Sequence, residues 1–152
     1  MAEESPFRHE RADDSAGFLF WKVSGLWQHK LADVLQPLGI TQTQYAILAS
    51  LRWFESKGEP STQSHLAQHA KIEKMTLSKA IRRLEAQGMV LRQDHAADQR
   101  AWELSLTPAG RKLIAKAVHG VERADEDFFG AVGQRRLNVL KQLMLALADR
   151  NS

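Results

Sequence analysis

Residues 75–88 read MTLSKAIRRLEAQG. Leu77, Ala80, Ile81 and Leu84 recur at i, i+3, i+4 and i+7, the spacing that predicts a helix with one face on a core. Gly88 suits the left-handed position just past a helix end. The same winding turns Thr76, Ser78, Lys79, Arg82 and Arg83 to the outside or its edges. A major groove is wide enough to admit an α-helix, and its base edges offer a code that Lys and Arg can read. Thr76 adds a methyl for thymine and a hydroxyl for phosphate. Lys74 and Ser78 fall in the first turns, where the helix dipole favours phosphate. An ordinary solvated face has the same composition, so the neighbouring elements decide between the two readings.

Upstream, Thr41 and Gln44 form a capping box for a helix through Tyr45, Ile47, Leu48 and Leu51. Gly58-Glu59-Pro60 breaks it. Ser61 or Thr62 caps a short helix with Leu66 and Ala67 inward, ending near Ala70, and Lys71-Ile72-Glu73 turns the chain into 75–88. Downstream, Met89-Val90-Leu91-Arg92 is short and apolar, and Gln93 to Gln99 is a polar run read as a loop. Trp102, Leu104 and Leu106 then alternate with Glu103 and Ser105, the period of a half-buried strand. Two helices joined by a three-residue turn and followed by a hairpin make a winged helix-turn-helix. That context favours DNA for the outer face.

The ends are helical. Asp13, Asp14 and Ser15 offer caps for a stretch over 15–35 whose apolar residues cover more than one stripe, and Pro37 and Gly39 end it. Thr107-Pro108 starts a long helix to about Phe129, interrupted by Gly130 and Gly133. The last helix, about 134–149, carries Leu137, Leu140, Met144 and Leu147 on one stripe. The expected fold is mainly α with a small β-hairpin wing. It forms a single domain over 1–152 with 41–106 as the DNA-binding lobe; the helices at 14–36 and 108–150 can pack within the chain or across a two-fold axis, and reading two adjacent half-sites favours dimerisation.

Composition narrows the function. A chain of 152 residues with 43% hydrophobic and 26% charged residues has the make-up of a globular domain. It contains no cysteine, which excludes disulfides, thiol nucleophiles and thiol redox sensing by this chain. The run Phe18 to Trp21 is far short of a signal or membrane segment, so a cytoplasmic place is expected. Net charge is +3, unevenly placed: residues 71–112 hold nine Lys or Arg against five Asp or Glu, while residues 1–16 carry a net of −3. A basic middle between acidic or neutral ends fits a local polyanion-binding surface.

TQTQYAIL at 41–48, TQSHLA at 62–67, MTLSKAIRRLEAQGMVLR at 75–92 and DQRAWELSLTPAG at 98–110 together resemble the MarR (multiple antibiotic resistance regulator) family of winged-helix transcription regulators. The Asp-x-Arg wing followed by Leu-Thr-Pro-x-Gly is the most specific piece, and the terminal helices match in layout. The resemblance implies a homodimer with interlocked terminal helices, reading a pseudo-palindromic operator as a repressor. By carry-over, Lys74, Thr76, Ser78, Lys79 and Arg82 would face the major groove, Gln63 would brace a phosphate, and Asp98 and Arg100 would form the wing. It also implies release by a small, often phenolic or anionic, compound bound between the dimer region and the lobe. One departure is Lys71, where many helix-turn-helix turns have glycine. A left-handed residue other than glycine costs about 1–2 kcal/mol, so the turn is open to more than one conformation.

Other chemistry is weakly signalled. His65 and His69 have a metal-ligand spacing, but HLAQH lacks the adjacent glutamate of HExxH, and they read as two polar-face histidines. Neither a phosphate loop nor a G-x-S-x-G elbow occurs, so no enzyme, cofactor or metal is expected. Trp21, Trp27 and Tyr45 are candidates to line an effector pocket, although aromatic residues at helical spacing are more often core. A winged module that binds protein instead of DNA is the competing reading.

Overall fold

A computed structural model describes residues 3–95 and 98–152, the side chains of 94–102 excepted. Six helices and one hairpin follow in order: α1 (Ala16–Leu35), α2 (Gln42–Lys57), α3 (Gln63–Ala70), α4 (Lys74–Ala86), β1 (Val90–His95), β2 (Asp98–Leu106), α5 (Pro108–Gly130) and α6 (Gln134–Arg150). Among the described residues no helix is long and apolar enough to cross a membrane.

Local chemistry sets the boundaries. Ser15 accepts from the Phe18 N–H at the start of α1. At α2, Thr41 Oγ1 accepts from the Gln44 N–H, and Gln44 Oε1 accepts in return from the Thr41 N–H. Thr62 caps α3 by accepting from the His65 N–H at 3.1 Å. Lys71 takes up the left-handed conformation, φ 53° and ψ 40°, between α3 and α4. Of the conformations left open, the chain takes the glycine-type turn without glycine. The Lys71 N–H bonds the Ala67 carbonyl, and the Ile72 N–H reaches the same oxygen at 3.2 Å. Both bonds satisfy the end of α3 and offset the strain.

One core joins the elements. Phe54, Ile47, Leu48 and Leu51 from α2 meet Leu66 from α3, Leu77, Ile81 and Leu84 from α4, and Ile114 and Ala117 from α5, all buried. His65 and His69 are not a plain polar face. Their rings pack on Phe54 at centroid distances of 4.6 and 4.9 Å, and His65 Nε2 lies 3.2 Å from Glu59 Oε2. The i, i+4 spacing puts both rings over one buried aromatic, a packing use of that spacing.

The wing is longer than the apolar pattern indicates. Val90 pairs with Leu106 and Arg92 with Leu104, and pairing continues to Asp94–Trp102 and His95–Asp98. Most of the polar run read as a loop is thus strand. The segment Gln93 to Gln99 is polar throughout apart from two alanines, so no apolar alternation marks it as strand. On its other edge β2 is tied to the start of α3, where the Leu104 N–H donates to the Ser61 carbonyl at 2.8 Å.

At the base of the wing, Thr107 Oγ1 donates to the Gly88 carbonyl at 2.6 Å and accepts from the Gly110 N–H at 3.0 Å. The Thr107 N–H donates to the Met89 carbonyl at 3.1 Å. One threonine thereby fastens the end of α4, the start of β1 and the first turn of α5.

Candidate nucleic-acid interface

Burial of Leu77, Ile81 and Leu84 fixes the rotation of α4. Lys74, Thr76, Lys79, Arg82 and Arg83 consequently stand exposed, with Ser78 half-buried at the edge. Among the described residues neither Lys79 nor Arg82 is held by a carboxylate. Lys74, Thr76, Ser78, Lys79 and Arg82 border one open hollow of about 580 Å³. Five of the residues expected at DNA are thus brought together on one helix.

Gln63 is differently engaged. Its Nε2 donates to Ser78 Oγ at 2.8 Å, while its Oε1 is buried without a partner among the described residues. The first residue of α3 thereby holds α4 in place, and one amide hydrogen remains for a phosphate. Because Ser78 accepts through its oxygen, its hydroxyl hydrogen stays available for donation. The backbone of Asp98 and Arg100 lies in β2, but their side chains fall outside the described residues, as does that of Trp102.

Sequence reasoning missed Glu73. It is the N-cap of α4, and its Oε2 accepts from Thr76 Oγ1 at 3.1 Å. A carboxylate there complements the helix dipole but repels an incoming phosphate. Glu73→Gln is expected to tighten binding to random duplex by about 0.5–1 kcal/mol, read by gel shift at low salt. Weaker binding instead would mean that the carboxylate accepts from a base.

Two of the three aromatic candidates, Trp27 and Tyr45, meet at Asp125, and Trp21 stands apart. Trp27 Nε1 donates to Asp125 Oδ1 at 2.8 Å, and Tyr45 lies close enough to Asp125 and Glu122 to sense their charges. Burial, then Asp125, then Glu122 push the Tyr45 phenol up to about 12, so it keeps its proton at physiological pH. Trp21 is 78% exposed; six residues before Trp27, it points about 120° away around α1. The site missed here is Asp125, 98 residues from Trp27 and invisible to any local pattern.

A second apolar feature lies between α1 and α6. Leu19, Phe20, Val23, Leu143, Met144 and Leu147 are among the residues that line a groove of about 530 Å³. No residue of α6 is buried. The stripe on the last helix therefore remains largely uncovered in the single chain.

A buried-backed cationic helix, preceded by a bracing helix and followed by a strand pair, defines a winged helix-turn-helix DNA-binding regulator. The family model for an ArnR1-like, winged-helix domain matches residues 38–122. The HTH-type transcriptional regulator YdcH of Bacillus subtilis is 33% identical over 86% of this chain and 90% of its own. AbsC of Streptomyces coelicolor, a MarR family transcriptional regulator, superposes with a TM-score of 0.81 at 26% identity over 96% of this chain and 97% of its own. BpsR of Bordetella bronchiseptica, whose DNA binding is regulated by 6-hydroxynicotinic acid, shares the fold at a TM-score of 0.83 and 21% identity, over 95% and 99% of the two chains. The chain belongs to the MarR family of winged helix-turn-helix transcription regulators.

Proposed function

We propose that two copies of this chain bind a pseudo-palindromic operator, repress transcription by occupying promoter DNA, and leave it when a small aromatic acid binds. The observation that carries this reading is the outer face of α4. Lys74, Lys79 and Arg82 are exposed there while Leu77, Ile81 and Leu84 seal the opposite face. Lys74, Thr76, Ser78, Lys79 and Arg82 enter the major groove, and Gln63 donates its remaining amide hydrogen to a phosphate. Arg100, oriented by Asp98, reaches the adjacent minor groove.

The dimer places two copies of 41–106 about 34–36 Å apart, one helical turn of DNA. Segments 14–36 and 108–150 hold it together, a role supported by the uncovered apolar groove between α1 and α6. Effector binding near Trp27, Tyr45 and Asp125, between the α1 and α5 region and the lobe, is supported by the Trp27–Asp125 hydrogen bond and by the half-buried Tyr45 phenol beside the same carboxylate. An aromatic acid would have to accept a hydrogen bond there and tolerate or displace the Asp125 carboxylate. BpsR, with its ligand 6-hydroxynicotinic acid, is the precedent. The reading involves no catalytic step and places the protein in the cytoplasm with its DNA.

Duplexes selected from a random pool supply the test. Arg82→Ala is expected to weaken the selected site by about 1–3 kcal/mol and random duplex by less, measured in salt-titrated gel shifts. Unchanged affinity would take Arg82 out of the interface. Failure to retain any duplex, even at low salt, would favour the protein-binding module. Small aromatic acids are then screened for release of the selected duplex.

A further inference from the structure

Met75 is 76% exposed, more than any other large apolar side chain in α2, α3 or α4. A single exposed methionine is unremarkable on a surface, but its position here is not neutral. Residues 75, 79 and 82 are at i, i+4 and i+7, so Met75 shares one stripe with Lys79 and Arg82. It borders the same hollow as both cations. The residues that face the core are Leu77, Ile81 and Leu84, so Met75 cannot turn inward. The apolar groove of α1 and α6 is lined by other residues, and closing it would leave Met75 uncovered. A surface that α4 docks on is therefore the one that would cover Met75.

A thioether accepts hydrogen bonds weakly and donates none. On the floor of the major groove the apolar group is the C5-methyl of thymine, and 5-methylcytosine carries the same group at the same place. The N-terminal residues of a recognition helix are those that meet base edges, and Met75 is the second residue of α4. Its flexible, polarisable chain can follow a methyl past the neighbouring Lys74 and Thr76. Resting on the DNA reading above, we propose that Met75 is a specificity-determining residue that packs on the C5-methyl of one pyrimidine in each half-site.

The test uses the full chain and one selected operator duplex. Each thymine is replaced in turn by deoxyuridine, which deletes the methyl alone, and each cytosine by 5-methylcytosine, which adds it. The wild-type protein is expected to lose about fourfold in affinity per half-site at one deoxyuridine position, the worth of one buried methyl. If the pyrimidine is cytosine, methylation at one position raises affinity by the same factor. Met75→Ala should lose affinity for the methyl-bearing duplex and become indifferent to that substitution. An unchanged melting temperature would show that the exposed truncation leaves the fold intact. Indifference of the wild type to every methyl change, or equal methyl sensitivity in Met75→Ala, overturns the proposal. Arg82→Ala on the same duplexes separates the two failures. If it weakens binding while no methyl matters, only the Met75 inference falls. If neither Arg82→Ala nor operator sequence alters affinity, the DNA reading falls as well.

Discussion

Gly110→Ala is expected to destabilise the fold by about 3 kcal/mol, near the upper end for overpacking. A Cβ at this position would sit 2.1 Å from the Met89 carbonyl oxygen and 3.1 Å from its carbon. Both are backbone atoms, so no side-chain rotation relieves the clash. Parting α5 from the start of β1 would strain the bonds that Thr107 makes to Gly88 and Met89 at 2.6 and 3.1 Å. It would also disturb the packing of Ile114, Ala117 and Val121 in the core. A chain of this size should then melt about 6–12 °C lower, with the urea midpoint reduced in step. An unchanged midpoint would mean that the first turn of α5 shifts freely, and the account of the Thr107 bonds would be wrong.

The second large effect concerns assembly. Leu143 lines the groove between α1 and α6 and is 58% exposed in the single chain. Leu143→Glu therefore leaves the protomer's own core untouched. In the proposed dimer it would place an unpaired carboxylate in an apolar interface, at a cost of several kcal/mol. Light scattering should report a monomer. Operator affinity should fall by at least ~100-fold, and the slope of log affinity against log salt should roughly halve, because one lobe neutralises half the phosphates. A variant that remains dimeric and binds the operator normally would show that another surface joins the copies.

Local signals were the legible ones. The Thr41–Gln44 capping box lies within four residues and appears as read. The helical period of Leu77, Ala80, Ile81 and Leu84 gives both the existence and the rotation of α4, and hence the exposed cations. The strand ends were not legible, because Gln93, Asp94 and His95 are polar residues with no apolar alternation, and their pairing with β2 is a matter of backbone. The conformation of Lys71 was undecided too, since a lysine can be driven left-handed only by the bonds around it. Pairs remote in sequence, Gln63 with Ser78 and Trp27 with Asp125, depend on how helices cross. In the Leu-Thr-Pro-x-Gly stretch the Thr107 cap and Pro108 at the first helical position were legible, but Gly110 stood out by resemblance alone. The physical reason for the whole stretch, a threonine shared by three elements and a glycine against a carbonyl, appears only in three dimensions.

The Thr107 bonds also bear on how a distant event reaches DNA. They leave no slack between α5 and the end of α4, so a tilt of one carries the other as a stiff lever. A helix of 23 residues is about 34 Å long. A tilt of about 5° at one end would displace the other by ~3 Å over that length. Doubled across the two-fold axis of the proposed dimer, that displacement would shift the lobes against a half-site spacing of about 34–36 Å and leave each lobe's internal shape unaltered.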